Sequence, residues 1–233
     1  MIQFKPYPPI GDHLDAVWMD RVRETVPEGS LFAVQEKVHG KNVAFLCDDL
    51  DVRMARRTAI LDSLEPFYGH QELLERYSGH IYHIFNLVRP ACPSMTSIAV
   101  YGELFGGGYP YPGVLLQKRA RPVQRHIWYS PGYDFYAFDL FVFTREGGFF
   151  LPVQEANALF STAGLLYARS LFIGTLDDCL DYPSVFPTGL PAELGLPPIS
   201  ENYCEGIVLK PLVPILLPDG TRVAVKKLNP DYQ

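Results

Sequence analysis

Lys37 closes a largely apolar run that begins at Leu31, and a turn glycine follows it in Glu36-Lys37-Val38-His39-Gly40-Lys41-Asn42. A primary amine held at a strand end beside a tight turn can be presented to an electrophilic phosphorus. With a pKa of about 10.4, a free lysine is neutral in only about one molecule in a few thousand at pH 7. Burial, or neighbouring cations such as other lysines or a bound metal, must raise that fraction before the amine is a useful nucleophile. One such lysine signifies little, since most are surface charges. Here further segments follow in order: Tyr101-Gly102-Glu103-Leu104, Phe135-Tyr136-Ala137-Phe138-Asp139, Glu205-Gly206-Ile207-Val208-Leu209-Lys210 and Val223-Ala224-Val225-Lys226-Lys227. They supply carboxylates, aromatic rings and cations, the groups that phosphoryl transfer requires.

Glu103 and Glu205 each have a glycine beside the carboxylate, which predicts close approach of a ligand to the backbone. One carboxylate can accept from ribose hydroxyls. The other can hold a divalent metal, which favours hard oxygen ligands; Glu205 and Asp139 are the candidates. Phe138 and Asp139 are adjacent, so strand alternation predicts opposite faces, with Phe138 free to stack on a base. Lys226 suits an α-phosphate, where it would offset charge gathering on the phosphoryl oxygens. Lys210 falls on the face opposite Glu205 by simple alternation. It joins the same site only if the strand twists or bulges, or if its side chain reaches round. Arg56-Arg57-Thr58 can grip a phosphate with bidentate geometry, or stand as exposed charge. His39 and Asn42 either orient a polynucleotide phosphate or simply hydrogen-bond the turn.

These residues need elements to position them. A helix is predicted over 12–24 with Asp12 as N-cap. Strands are predicted at 31–37 and 43–47, joined through the His39-Gly40 turn. Residues 64–88 carry helical spacing at Leu73, Leu74, Tyr77 and Ile81. From Ile98 to Phe105 the pattern alternates, with Ala99, Tyr101, Glu103 and Phe105 on one face, and Gly106-Gly107-Gly108 is predicted to break it. A long loop over 109–133 precedes a strand at 134–143, then a helix over 152–163 stopped by Gly164. Residues 181–198 read as irregular connection, and Pro218-Asp219-Gly220 divides two last strands, 205–210 and 221–228. Strand pairs near both ends with helices between predict α+β architecture with antiparallel sheets. The dinucleotide-binding and P-loop glycine patterns are absent.

At 233 residues, 48% apolar and 20% charged, the chain suits one large globular domain. A net charge of −6 excludes a bulk polyanion binder, so any nucleic-acid contact must be local. The cation-dense stretch is Lys118-Arg119-Ala120-Arg121-Pro122-Val123-Gln124-Arg125-His126, either a polynucleotide contact through Lys118, Arg119, Arg121 and Arg125 or a solvated loop. Four scattered cysteines without a C-x-x-C pair argue for reduced thiols and against a zinc site. With no signal peptide or membrane-length apolar run, the expected location is cytoplasmic, with no membrane partner.

The motifs resemble those of ATP-dependent RNA ligases of the RNA ligase 2 type, covalent nucleotidyltransferases with K-x-H-G where DNA ligases and capping enzymes usually have K-x-D-G. The resemblance runs from about residue 30 to the C-terminus. Arg57 matches the downstream arginine, Tyr101 to Gly107 the aromatic-Gly-Glu motif, and Phe135 to Asp139 the adenine-stacking motif. Glu205 to Lys210 matches E-G-x-V-x-K, and Val223 to Lys226 the final lysine motif. The resemblance implies a nucleotidyltransferase (ligase adenylation) domain of two mainly antiparallel sheets flanked by helices, with ATP between them and Mg2+ or Mn2+ as metal. It implies that Lys37 takes AMP from ATP and passes it to a 5′-phosphate end of RNA, and that a 3′-hydroxyl then displaces AMP. Glu103 would contact ribose, Phe138 adenine, Arg57 ribose or phosphate, and Glu205 the metal. Lys226 and Lys210 would contact phosphates, and Glu36 and Lys227 complete the implied nucleotide-binding set. The expected substrate is a nicked RNA duplex, and the expected state a monomer. The family's last motif usually reads K-x-K, whereas here Leu228 takes the second lysine's place and Lys227 points to the other strand face. Family ligases commonly continue into a C-terminal helical domain; the expectation here is one adenylyltransferase domain over 1–233, either minimal or isolated. The residues also suit a DNA ligase core, a capping-type guanylyltransferase, or a nucleic-acid-binding module without catalysis.

Overall fold

Between Glu36 and Lys41 the chain crosses from one β-sheet to another, and this crossing organises the molecule. The computed structural model describes residues 2–118 and 120–232. The strands are β1 (Gly11–Asp12), β2 (Phe32–Glu36), β3 (Lys41–Cys47), β4 (Val52–Arg56), β5 (Ala59–Ile60), β6 (Met95–Gly108), β7 (Ser130–Thr144), β8 (Gly147–Phe150), β9 (Leu166–Tyr167), β10 (Ser170–Gly174), β11 (Gly206–Pro211) and β12 (Val225–Leu228). The α-helices are α1 (Ala16–Thr25), α2 (His70–Val88), α3 (Val153–Thr162), α4 (Leu176–Asp181) and α5 (Leu190–Glu193).

The first sheet has the order β1-β12-β11-β2-β10 and the second β5-β4-β3-β6-β7-β8, with β9 beside β7. All pairings are antiparallel except β1 with β12 and β7 with β9. The architecture is α+β, two mainly antiparallel sheets with flanking helices.

Helical spacing carries Leu73, Tyr77, Ile81, Ile84 and Val88 of α2 into one cluster with Phe45, Val100, Phe135 and Leu140 of the second sheet. Burying each such side chain is worth about 1.5–3 kcal/mol before entropy is counted. On the first sheet, Met19 and Val22 of α1 and Leu176 and Cys179 of α4 cover Phe32, Val34, Ile207 and Leu209. The alternate residues of these strands are left to face the other sheet.

Several expectations change. Strands β2 and β3 are not a hairpin: β2 pairs with β10 and β11, whereas β3 pairs with β4 and β6. The cap of α1 is Asp15, whose carboxylate accepts from the Trp18 amide at 3.1 Å; Asp12 lies in β1 instead. Gly106 to Gly108 do not end β6, which runs through them with a register irregularity, and β7 begins at Ser130, so the loop spans only 109–129. Helix α3 begins at Val153, with Pro152 as its N-cap and not inside its first turn.

Candidate active site

Where the sheets face each other they enclose a cavity of about 570 Å³, within the range of small-molecule sites. Lys37 lines it. The Lys37 amide donates to the carbonyl of Gly206 at 2.9 Å, which extends the β2–β11 ladder by one residue before the crossing. The Lys37 Nζ lies 2.6 Å from Glu205 Oε2, and His39 Nδ1 lies 3.3 Å from the same oxygen. His39 is fixed in turn, since its amide donates to the Tyr129 hydroxyl at 3.0 Å. Burial alone would raise the Glu205 carboxyl, but His39 and Lys37 hold it below its ordinary value.

Gly206 separates Glu205, which meets the Lys37 amine, from the strand that carries Lys210 into the cavity wall. Its φ of +142° is a backbone conformation that L side chains rarely adopt, and a Cβ there would lie 2.4 Å from the carbonyl of Lys227. From Gly206 onward the strand alternates without a register shift. Val208 and Lys210 then face the cavity while Ile207 and Leu209 enter the core. The glycine therefore serves contact with β12, not approach of a ligand. The same holds for Gly102, where a Cβ would strike the Phe135 ring at 2.3 Å.

A second irregularity governs Phe138 and Asp139. Tyr101 pairs with Asp139 and Gly102 with Ala137, so Phe138 is the extra residue of a β-bulge. Both residues consequently lie on one face, against the opposite-face expectation. Phe138 meets the Tyr7 ring edge-on at 4.9 Å, and the Tyr7 hydroxyl donates to Asp139 Oδ2 at 2.7 Å. The Asp139 carboxylate also binds Arg222 and lies 3.3 Å from Lys210 Nζ. Burial would raise this carboxyl, but Arg222, Lys210 and Tyr7 hold it below its ordinary value. Asp139 is thus a buried counter-ion, and the expectation that it ligates a metal is corrected: its Oδ2 is engaged by Tyr7, Lys210 and Arg222. Lys210 donates to the Phe138 carbonyl at 2.6 Å, and burial pushes its amine down to about 8 with Arg222 adding and Asp139 opposing.

The other candidates divide. Glu36, Asn42, Arg56, Arg57, Glu103 and Lys226 line the cavity with Lys37, Phe138 and Lys210. Glu103 faces Asn42 across β3 and β6. Burial pushes the Glu103 carboxyl up to about 8; Glu205 adds to this, whereas Lys37 and Lys41 oppose it. Glu36 is anchored, accepting from the Thr188 hydroxyl and, at 3.1 Å, from the Gly189 amide. Arg56 Nε lies 3.2 Å from Glu65, and Lys226 Nζ 3.5 Å from Asp12. Lys227 is a correction: its amine donates to the carbonyls of Leu180 at 2.7 Å and Tyr182 at 2.9 Å, which tethers the end of α4 outside the cavity. Lys118, Arg121 and Arg125 do not line the cavity either, and Arg119 lies outside the described residues. Their loop is pinned by the buried Gln124, which accepts from the Gly106 amide and donates to the Ile127 carbonyl, both at 3.1 Å.

Some lining residues had no signal of their own. Tyr136 could have been found, two residues from Phe138 on the same face, and Lys41 adjoins Asn42. Gln35, Tyr7 and the following Pro8-Pro9-Ile10 wall could not, nor the buried Arg222 beneath.

The arrangement fits a nucleotide: five further cations, Lys41, Arg56, Arg57, Lys210 and Lys226, line the cavity with Lys37, and Phe138 and Tyr136 offer flat apolar surface. Among the described residues no three His, Cys, Asp or Glu side chains form a metal cluster. Mg2+ needs no such cage, because it is commonly held by one or two carboxylates and substrate phosphates, and Glu205 fits that part.

The chain matches the RNA ligase family over residues 30–228. It is 33% identical over 208 residues to the mitochondrial RNA-editing ligase 1 of Trypanosoma brucei brucei, covering 75% of this chain and 43% of that protein. It is 31% identical over 196 residues to RNA-editing ligase 2 of the same organism, covering 75% and 47%. The chain thus spans less than half the length of these relatives. In structure it resembles a Naegleria gruberi RNA ligase variant with ATP and Mn, with a TM-score of 0.62 at 14% identity, covering 100% of this chain and 59% of that one. The same ligase with pyrophosphate gives a TM-score of 0.59. A match that runs from the Lys37 strand to the Lys226 strand, with one-third identity to named ligases, makes this chain a member of the RNA ligase family.

Proposed function

We propose that this chain is the adenylylating core of an ATP-dependent RNA ligase. The carrying observation is that Lys37, Glu103, Phe138 and Lys226, distant in sequence, line one nucleotide-sized cavity, with Glu205 held against the Lys37 amine. The Lys37 amine attacks the α-phosphorus of ATP; a P–N bond forms, the P–O bond to pyrophosphate breaks, and the amine proton leaves to solvent. AMP then passes to a 5′-phosphate end of RNA, and a 3′-hydroxyl displaces it to form the phosphodiester. Before the first step the amine must leave its ion pair with Glu205. A divalent cation bound by Glu205 and the nucleotide phosphates would supply charge neutralisation there and compete for that carboxylate.

Phe138 stacks on adenine, Glu103 accepts from the ribose, and Arg57 and Lys226 hold phosphate. Lys210 supports this set from the wall, since its amine is already committed to the Phe138 carbonyl and Asp139. His39 and Asn42 face the incoming polynucleotide, joined by Arg56 and the loop cations Lys118, Arg121 and Arg125. We extend the proposal to a nicked RNA duplex as substrate, a monomer acting as one adenylyltransferase domain, and a cytoplasmic location. Among the described residues no helix is long and apolar enough to cross a membrane.

Incubation with α-labelled ATP and magnesium, followed by a denaturing gel, tests the core of this. A labelled protein band is expected, and Lys37→Ala is expected to abolish it while sparing some sealing of a pre-adenylylated strand. A normal adduct in Lys37→Ala would remove Lys37 from the role.

A further inference from the structure

Gln35 is a polar side chain only 2% exposed, yet it lines the cavity. Its amide nitrogen donates to the backbone carbonyl of Ala168. A peptide carbonyl can only accept, so this contact settles which end of the amide is nitrogen. The other end, Oε1, accepts no hydrogen bond from any described residue. This oxygen is not sealed inside the protein: it keeps a small exposure, and because the side chain lines the cavity a ligand donor can reach it.

The neighbours indicate what donor belongs there. Val208 pairs directly with Gln35 across β11. The Ala168 amide donates to the Ala137 carbonyl at 2.8 Å, which joins this part of the wall to the strand carrying Tyr136 and Phe138. The free oxygen therefore belongs to the apolar, aromatic part of the cavity, where a flat base suits better than a phosphate. Lys37 lies two residues along the same strand direction and also lines the cavity, so base and α-phosphate can be served from one strand. Adenine carries an amino donor at its 6-position, whereas guanine carries a carbonyl acceptor there.

We propose that Gln35 is a specificity-determining residue whose Oε1 accepts the 6-amino group of adenine and opposes the 6-oxo group of guanine. The proposal rests on the nucleotidyl-transfer function proposed above. A site built to hydrogen-bond a group rejects the analogue that lacks it, because its own polar atom is left unpaired.

The test is calorimetric binding of AMP and of purine riboside 5′-monophosphate, which has hydrogen in place of the amino group. The unmodified chain is compared with Gln35→Leu and with Gln35→Met, which fills the wall at closer length. The unmodified chain is expected to favour AMP by about tenfold, and either variant to bind the two ligands within about twofold. The cross-comparison of variant and ligand isolates Gln35 from any other acceptor near the base. Equal binding by the unmodified chain, binding of neither ligand, or an undiminished preference in the variants would each overturn the proposal. The first comparison needs no substitution, so it holds even if both variants fail to fold. Adduct formation from labelled ATP is measured alongside: its absence from the unmodified chain counts against nucleotidyl transfer, whereas an adduct without base preference counts against Gln35 alone.

Discussion

Two ionic clusters built from similar residues occupy the two ends of the site, and they differ in how completely water is excluded. At the mouth, Lys37 and Glu205 keep side-chain exposures of 24% and 11%. At the floor, Lys210, Asp139 and Arg222 keep 2% or less. Complete burial leaves the floor charges no ionic partner among the described residues but each other, so they set the position of the Phe138 backbone, the Tyr7 ring and strands β7 and β11 at once. Partial exposure leaves the mouth amine held by one carboxylate that a ligand can draw away. The same chemistry thus serves architecture in one place and reaction in the other.

Removing one charge from each cluster separates these roles. Asp139→Asn would leave Arg222 and Lys210 buried without a counter-ion, which typically costs about 3–5 kcal/mol. Chemical denaturation is expected to show a loss of that size; a variant within about 1 kcal/mol of the parent would mean that the floor is not structural. Glu205→Gln is expected to do the reverse, costing less stability than Asp139→Asn because the Lys37 amine it leaves keeps access to water, while slowing adduct formation by about 10²–10³-fold. Full adduct formation by Glu205→Gln across a magnesium titration would remove Glu205 from the chemistry.

Glu103 lies between these extremes, and its effect shows as pH dependence. Burial raises its folded-state carboxyl from 4.5 to about 8. A raised value means that the protonated form is favoured in the fold. Its contribution to stability is therefore fully present below pH 4.5 and lost as pH rises through 8. Without nucleotide, the chain is expected to lose stability across this window, and Glu103→Gln is expected to flatten the decline. An identical pH profile in the variant would refute the assignment.

The smallest expected effect belongs to the loop beyond the cavity. Arg121 and Arg125 are exposed, and among the described residues neither has a carboxylate partner. Changing both to glutamine is expected to weaken RNA binding and to reduce its logarithmic salt slope by about one for each phosphate no longer neutralised. An unchanged slope would return the loop to plain solvated surface.

Much of the site was legible because it is local. The Lys37 turn, the face shared by Tyr101 and Glu103, and the start of α3 beside Pro152 all follow from spacing, and neighbouring residues enforce them. Counting by twos, however, holds only while a strand stays regular. The bulge at Phe138 brought Asp139 onto the same face. It shifts parity by one residue, and it is not visible without the partner strand. Pairing is also why β2 and β3, neighbours along the chain, lie in different sheets, and why Lys227 ends on α4. Order of motifs, residue types and most strand faces were determined by the sequence itself. Which buried charges meet, which carboxylate holds Lys37 and which amide oxygen Gln35 leaves free were decided only when distant strands came together, because burial and hydrogen bonding depend on every element around a group.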